Sequence, residues 1–540
     1  MVDVLVVGAG PAGLTAAIEL ARRGVSCAIV DRRAEPRPGT RGCTVWQRTL
    51  EIFDLMGLPV SRYQQDSVAF QHRVYHVVDL DPIAIGMVQP SSRYPLPLLV
   101  GQQVTEAMLT GHLARLGVEI RRGVSAVSVA EDPAGVRVGL RGADGVDQTA
   151  WASWVVVAEG SHSTLRDELG IAWDTKNFPG AQLLQVDAFV DGDMPGSPED
   201  AHLFLDFGGT LGSLPLPDGR RRLFLSVPDP DSSVTGDPSV AEIEPMVQRF
   251  ARRPGLRQPA GRFNWRVRFH NSISETFRSG RCLLVGDSAR TFMPVAAQGM
   301  NTGIQDAFNL GWKLAAVMAG KAGEELLASY CAERRPVAVQ QLERAEKGLW
   351  GGVGTAPPLD DVIAGIHRQR TTRTALTLSY ADGPLAEDRL GTPGATAGDR
   401  APVMEIVSGG RPRPLHRPLR HGGWTLLVFA PDDVAGRSQA GRSQAGRSQG
   451  GRSSGWRSSG WLTEAEQVCP GPLRVLLMGQ ADLGRPMEAD RVADPEGAAR
   501  AAYGAETGAL CLIRPDGYVG FRGGMDTGPE LLGYLRRIAA

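Results

Sequence analysis

The chain has 540 residues, 42% of them hydrophobic and 22% charged, with a formal net charge of -1. That length suits roughly two to four domains around a large core, and the composition is that of a soluble globular protein. The near-neutral charge argues against nucleic acid or an anionic membrane as partner, and without about 18 consecutive apolar residues no membrane span is expected.

The first predicted strand, VDVLVVG, begins at Val2, so no signal peptide is expected ahead of it. The six cysteines are scattered, without a CxxC pair or metal-ligand spacing, and read as reduced thiols of a cytoplasmic protein. The strand ends at Gly8, a helix-compatible stretch runs from about Pro11 to Arg23, and a second apolar run, Val25 to Val30, ends at Asp31. In that setting a GxGxxG has mechanical meaning. Gly8 permits the tight turn, Gly10 lets the backbone approach a pyrophosphate, and Gly13 lets helix and strand pack closely. The helix start offers free N–H groups to phosphate, and Asp31 stands where a carboxylate accepts from a ribose hydroxyl. This motif alone does not separate FAD from NAD.

Further along, the strand-like WASWVVVAEG continues as SHSTLR, with Gly160, Ser163 and Arg166. From about Ala181 to Phe269 the chain alternates in strand fashion through LLQVDAFVDG, AHLFLDF, RRLFLSV and FNWRVRF. Such a sheet would wall a pocket, with Phe204, Phe224, Trp265 and Phe269 as candidates for its lining, although residues of this kind are more often core. The run Cys282 to Val285 then feeds Gly286-Asp287, and a Pro/Gly loop from Pro294 to Asn301 leads into a helix from about Thr302. Asp287 is placed to meet a ribityl chain, and the loop amides and helix start to hold negative charge on a reduced flavin ring. Beyond Gly398, WTLLVFA and LRVLLMG read as buried strands, ALCLIRPDGYVGFR as a hairpin with a Pro-Asp-Gly turn, and PELLGYLRRIA as a closing helix. Between them, AGRSQ occurs three times, followed by GGRSSGWRSSGW, a tract too polar to bury a core.

Together these segments resemble the class A flavoprotein monooxygenases, the family of para-hydroxybenzoate hydroxylase and phenol hydroxylase. The resemblance is carried by GAGPAG, TRGCTVWQRTLEIFDLMGL (Arg41 to Leu58), GQQVTEAML around Gln102, and EGSHSTLR. It continues through GDSAR with QGMNTGIQDAFNLGWKLA, and LLASYCAERRPVA (Leu326 to Ala338). It implies an α/β fold: a Rossmann-like FAD-binding domain (residues 1–175 with 271–395), an inserted β-sheet substrate domain (176–270), and a C-terminal thioredoxin-like domain (396–540) with a low-complexity loop at 435–461. The layout is closest to actinobacterial aromatic polyketide hydroxylases, and the C-terminal domain implies a stabilising role or a homodimer.

The resemblance also implies roles. Gly8, Gly10, Ala12 and Gly13 would line the FAD pyrophosphate, with Asp31 and Arg32 at the adenosine end. Arg41, Gln102 and Gly160 would flank the pyrophosphate and ribityl region, and Asp287 the ribityl chain. Pro294, Gly299, Met300 and Asn301 would border the reactive ring edge. The expected chemistry is reduction of FAD by NAD(P)H, addition of O2 to give a flavin hydroperoxide, and transfer of one oxygen to a polycyclic aromatic polyketide. Arg290, Pro294 and Gln298 are the catalytic candidates, with Cys43 nearby, and no metal is expected.

Three departures from the family pattern stand out. Glu159-Gly160 replaces an Asp-Gly pair, Arg290 replaces a histidine, and Pro294-Val295-Ala296-Ala297 has lost the usual glycines. The alternatives are a Baeyer–Villiger oxygenation on the same fold and a flavin-binding protein without oxygenase activity. A halogenase would need a WxWxIP motif, which is absent.

Overall fold

A computed structural model of the protein describes residues 2–36, 42–77, 79–193, 197–206, 209–250, 252–257, 264–294, 297–347, 364, 373–431, 460–479 and 490–540. Arg41, Val295, Ala296 and the AGRSQ repeats lie outside these residues. The chain divides into two units, one of Met1–Ala315 with Tyr330–Thr377, the other of Ala316–Ser329 with Leu378–Ala540.

In the first unit, Val2–Val7 lies at the centre of a mainly parallel sheet, between Cys27–Asp31 and Asp147–Val157, with Cys282–Leu284 beyond the latter. Val4 to Val7, Val155 to Val157 and Cys282 to Leu284 are all buried. A parallel strand covered on both faces needs this near-continuous apolar run. The helix Pro11–Ala21 follows the first strand with Gly10 as N-cap and Pro11 in its first turn, where a missing N–H costs nothing.

A second sheet runs in the order Arg290–Thr291, Asn264–Ser274, Trp173–Asp193, Arg221–Pro228, Gly209–Pro215, Ala201–Asp206, His72–Val77 and Ile83–Gly86. It therefore extends beyond the expected 176–270, recruiting strands from both flanks. Residues 73–77 pair in parallel with 201–205, a long-range contact that no local pattern announces. One face of the sheet packs Leu184, Val186, Leu223 and Leu225 against Ile243 and Val247 of the helix Val240–Phe250, whose apolar residues recur at helical spacing.

The second unit holds a sheet ordered Glu387–Asp388, Val519–Gly523, Ala509–Ile513, Trp424–Phe429, Leu473–Met478, Asp490–Val492. The expected hairpin is present, with Ala509–Ile513 antiparallel to Val519–Gly523, and Arg514 pairs with Asp516 in its turn at 2.6 Å. This unit opens at Leu378, earlier than the expected 396, because Glu387–Asp388 adds an edge strand and Asp388 binds Arg522 at 2.8 Å. Among the described residues no helix is long and apolar enough to cross a membrane.

Candidate active site

A cavity of about 860 Å³ in the first unit runs from the glycine turn to the second sheet. At one end it is lined by Gly8, Gly10, Pro11, Ala12, Asp31 and Arg32. Gly8 has φ +110°, and a Cβ there would stand 2.2 Å from the Ala158 carbonyl oxygen. A Cβ on Gly13 would stand 1.9 Å from the Gly8 carbonyl oxygen, so Gly13 serves helix–strand packing and does not itself line the cavity. A Cβ on Gly10 would meet nothing within 4 Å, so this bare backbone borders open cavity.

The Asp31 carboxylate accepts from the Ala9 N–H at 2.7 Å and the Arg33 N–H at 2.8 Å, and pairs with the Arg33 guanidinium at 3.1 Å. Burial opposes its charge, but these donors hold it below the ordinary carboxylate range. Arg33 is thus engaged with Asp31. The Gln102 side chain accepts from the Gly42 N–H at 3.3 Å and donates to Glu106 at 2.8 Å, holding the strip that follows residue 41 beside the cavity. Glu159 reaches Ser163 Oγ at 2.7 Å and the Leu165 N–H at 2.9 Å, so its extra methylene serves the start of the helix Thr164–Glu168. Gly160 lines the cavity with φ +89°, and its N–H donates to Ser288 Oγ at 3.0 Å.

A second helix start borders the same cavity. Gly299, Met300 and Gly303 of the helix Gly299–Met318 line the cavity together with Gly286 and Asp287. A Cβ on Gly286 would come within 2.9 Å of Ala12 Cβ, and one on Gly303 within 3.2 Å of Gly286 Cα. Close approach therefore ties the two helix starts together, and both present partial positive charge to the cavity. Pro294, Ala297 and Gln298 complete this wall, and Gln298 donates to the Arg373 carbonyl at 3.1 Å. Ala297 has φ +52°, a conformation that favours glycine. Its carbonyl accepts from Trp46 Nε1 at 3.3 Å and Asn301 Nδ2 at 2.9 Å, which hold the turn in place of glycine freedom.

Like Gly13, two further expected residues need correction. Arg290 does not line the cavity; its side chain is 1% exposed and pairs with Asp306 at 2.5 Å. Asn301 is also absent from the lining. Its amide accepts from the Trp46 N–H and the Thr49 hydroxyl and donates to the Thr44 carbonyl, so it clamps the loop from behind. In both cases the motif located the segment correctly, but side-chain direction on a short turn has no sequence signal. Cys43 does line the cavity, yet burial raises its thiol pKa, which argues against a thiolate base at neutral pH.

The far wall is one face of the second sheet. Trp265, Gln185 and Phe224 are register partners in a row that continues through Gly212 to Leu203. Phe224 and Trp265 line the cavity, while Phe204 points to the opposite face, stacked on His76 at 4.3 Å. Phe269 is 2% exposed among Leu183 and Met293 and belongs to the core. Residues that the sequence reading did not single out here are Arg73, Gln185, Arg222 and Gly303. A Cβ on Gly212 would stand 1.9 Å from Phe224 Cζ. Gly212→Ala is therefore expected to swing that ring into the cavity, raising KM for an aromatic substrate several-fold while flavin content stays at the wild-type level. A KM unchanged from wild type would refute this account of the wall.

Two helix starts at one cavity, with a buried carboxylate at one end and an aromatic wall at the other, suit a dinucleotide-binding oxidoreductase. Residues 1–345 match the FAD binding domain family. Pentachlorophenol 4-monooxygenase of Sphingobium chlorophenolicum is 30% identical over 552 residues, covering 98% of this chain and 95% of its own length. The 6-methylpretetramide 4-monooxygenase of Streptomyces rimosus is 31% identical, covering 96% and 90%. Among solved structures, aklavinone-11 hydroxylase in complex with FAD and aklavinone superposes with a TM-score of 0.75 at 25% identity, covering 100% of this chain and 99% of that one. The chain belongs to this family of FAD-dependent aromatic monooxygenases.

Proposed function

We propose that the protein hydroxylates a polycyclic aromatic polyketide, with FAD as resident cofactor and NAD(P)H and O2 as co-substrates. The observation that carries this reading is the continuity of one cavity from the glycine turn at Gly8 to the aromatic face at Phe224 and Trp265. Relatives named as acting on 6-methylpretetramide and anhydrotetracycline support the substrate class. Bound in the cavity, FAD supplies the redox chemistry that activates oxygen.

The chain's own residues bind, orient and shield. Gly10 and the start of Pro11–Ala21 hold the pyrophosphate, and Asp31 the ribose. Asp287 and Gly299 with Met300 hold the ribityl and ring end, and Pro294 and Gln298 border the reacting edge. Phe224 and Trp265 supply flat apolar surface for a fused-ring substrate, and the buried setting excludes water. We read the second unit as thioredoxin-like, because Trp424–Phe429 is parallel to Leu473–Met478 and antiparallel to Ala509–Ile513, with a hairpin and helix closing the unit. Its Cys469 and Cys511 are buried with their thiols raised in pKa, that of Cys511 to about 12, which suits structural and not redox use.

The test uses purified full-length protein with NADPH, labelled O2 and aklavinone or a related tetracycle. A yellow protein with substrate-stimulated NADPH oxidation and a product bearing one labelled oxygen on a ring carbon is expected. A colourless protein, or a product whose new oxygen comes from water, would sink the proposal; a lactone would assign the oxygen to a carbonyl carbon instead.

A further inference from the structure

The cavity face of the second sheet carries polar atoms that the protein itself leaves unsatisfied. Its second row of register partners runs Asp187, Arg222, Leu214, with Arg73 opposite Ala201 on the neighbouring strands. Arg222 is neutralised where it stands, in a two-pronged pair with Asp187. Arg73 is not. It is 7% exposed and lines the cavity, and among the described residues it has no carboxylate partner. Its guanidinium lies 5.7 Å from the centre of the Trp46 ring and beside the Tyr75 hydroxyl, but Nε is buried without a hydrogen bond. Two further lining atoms share that condition, Gln185 Oε1 and Thr291 Oγ1.

Burying a cation without a counter-charge is costly, and a buried donor left unmade costs more than a made bond gains. A site that tolerates both is complete only when a ligand supplies the missing groups. Resting on the proposed substrate class, we propose that Arg73 is the anchor for an oxyanion of the substrate, a carboxylate, phenolate or enolate oxygen on the fused-ring skeleton. Gln185, on the Phe224 row, accepts a hydrogen bond from a ring hydroxyl of the same molecule. Arg73 and Arg222 stand on strands three spacings apart, about 14 Å across the sheet. A flat polycyclic molecule spans that distance over Leu203, Leu214 and Phe224. Gly212 and Ala201 keep the floor between them low. Arg73 is thus a specificity-determining residue, selecting aromatic substrates that carry an acidic oxygen at the end held by this strand.

The test is calorimetric titration of the purified full-length protein with an anthraquinone carboxylate, its neutral carboxamide, and a hydroxyanthraquinone below and above its own ionisation. The wild type is expected to bind an oxyanion form about tenfold or more tightly than the carboxamide. A carboxylate preference and a phenolate preference each support the site and tell the two sources apart. Arg73→Gln abolishes the preference while carboxamide affinity stays within about threefold, and Arg73→Lys, which keeps the charge, retains part of it. Equal binding of charged and neutral probes by the wild type, or a preference that persists in Arg73→Gln, overturns the proposal. The readout does not pass through flavin. A colourless protein that still discriminates would refute the oxygenase reading and keep the anchor, and a yellow one that does not would do the reverse.

Discussion

Replacing Asp306 by asparagine is expected to cost about 3–5 kcal/mol of stability, the range for stripping the partner from a buried charge. Asp306 is fully buried and receives three donors: Arg334 Nε at 2.8 Å, Arg290 Nη1 at 2.5 Å and the Gly286 N–H at 3.2 Å. Among the described residues, Arg290 Nε and Nη2 have no hydrogen-bond partner. Two guanidinium groups already share one carboxylate, so the asparagine variant leaves two buried cations facing a neutral amide. The same change loosens the Gly286 N–H, and with it the turn that carries Asp287. A thermal midpoint lower by an order of 5–10 °C should accompany partial loss of flavin. Arg290→Met is the informative control, since it leaves one carboxylate facing one guanidinium and is expected to cost less than Asp306→Asn. The reverse order in thermal unfolding would show that the charge balance has been misassigned.

Gly13→Ala is expected to yield a colourless protein, although alanine is the better helix former by about 1 kcal/mol. The added Cβ would stand 1.9 Å from the Gly8 carbonyl oxygen and 3.1 Å from Ala158 Cβ. The closer obstacle is backbone, so no rotamer change relieves it, and the helix must move off the strand. Because the helix start and the Gly8 turn form one cradle, FAD affinity should fall at least about 100-fold along with stability. Gly10→Ala separates the two effects. Its Cβ enters open cavity, so the flavin-free protein should unfold at the wild-type temperature while flavin binding is lost. If Gly13→Ala purifies yellow, the packing role assigned to this glycine is wrong.

The glycine turn, Asp31 and the Gly286-Asp287 turn were legible in the sequence because each lies within a short strand–turn–helix segment, where local spacing carries the geometry. Arg290 and Asn301 were not placed correctly, since both lie on such a segment but point behind it, toward Asp306 and Trp46. Those partners become partners only once the helix Gly299–Met318 is packed. Arg73, Gln185 and Arg222 were invisible as a group. Arg73 lies more than a hundred residues ahead of Gln185 and Arg222, and only the pairing of His72–Val77 with Ala201–Asp206 brings it onto the face that Gln185 shares. Phe204 was as good a wall candidate as Phe224 until register assigned them to opposite faces.

That division of faces has a consequence for how the protein can change. Along two strands of the second sheet, alternate residues face either the cavity or the hydrophobic core: Gln185 against Leu184 and Val186, Arg222 and Phe224 against Leu223 and Leu225. Substrate preference and foldability are therefore written in interleaved positions of the same short segments. A lineage, or a library, that varies cavity-facing positions and keeps the buried Arg222–Asp187 pair can explore new ring systems with little penalty in folding. An insertion of a single residue would exchange the two sets and forfeit both at once.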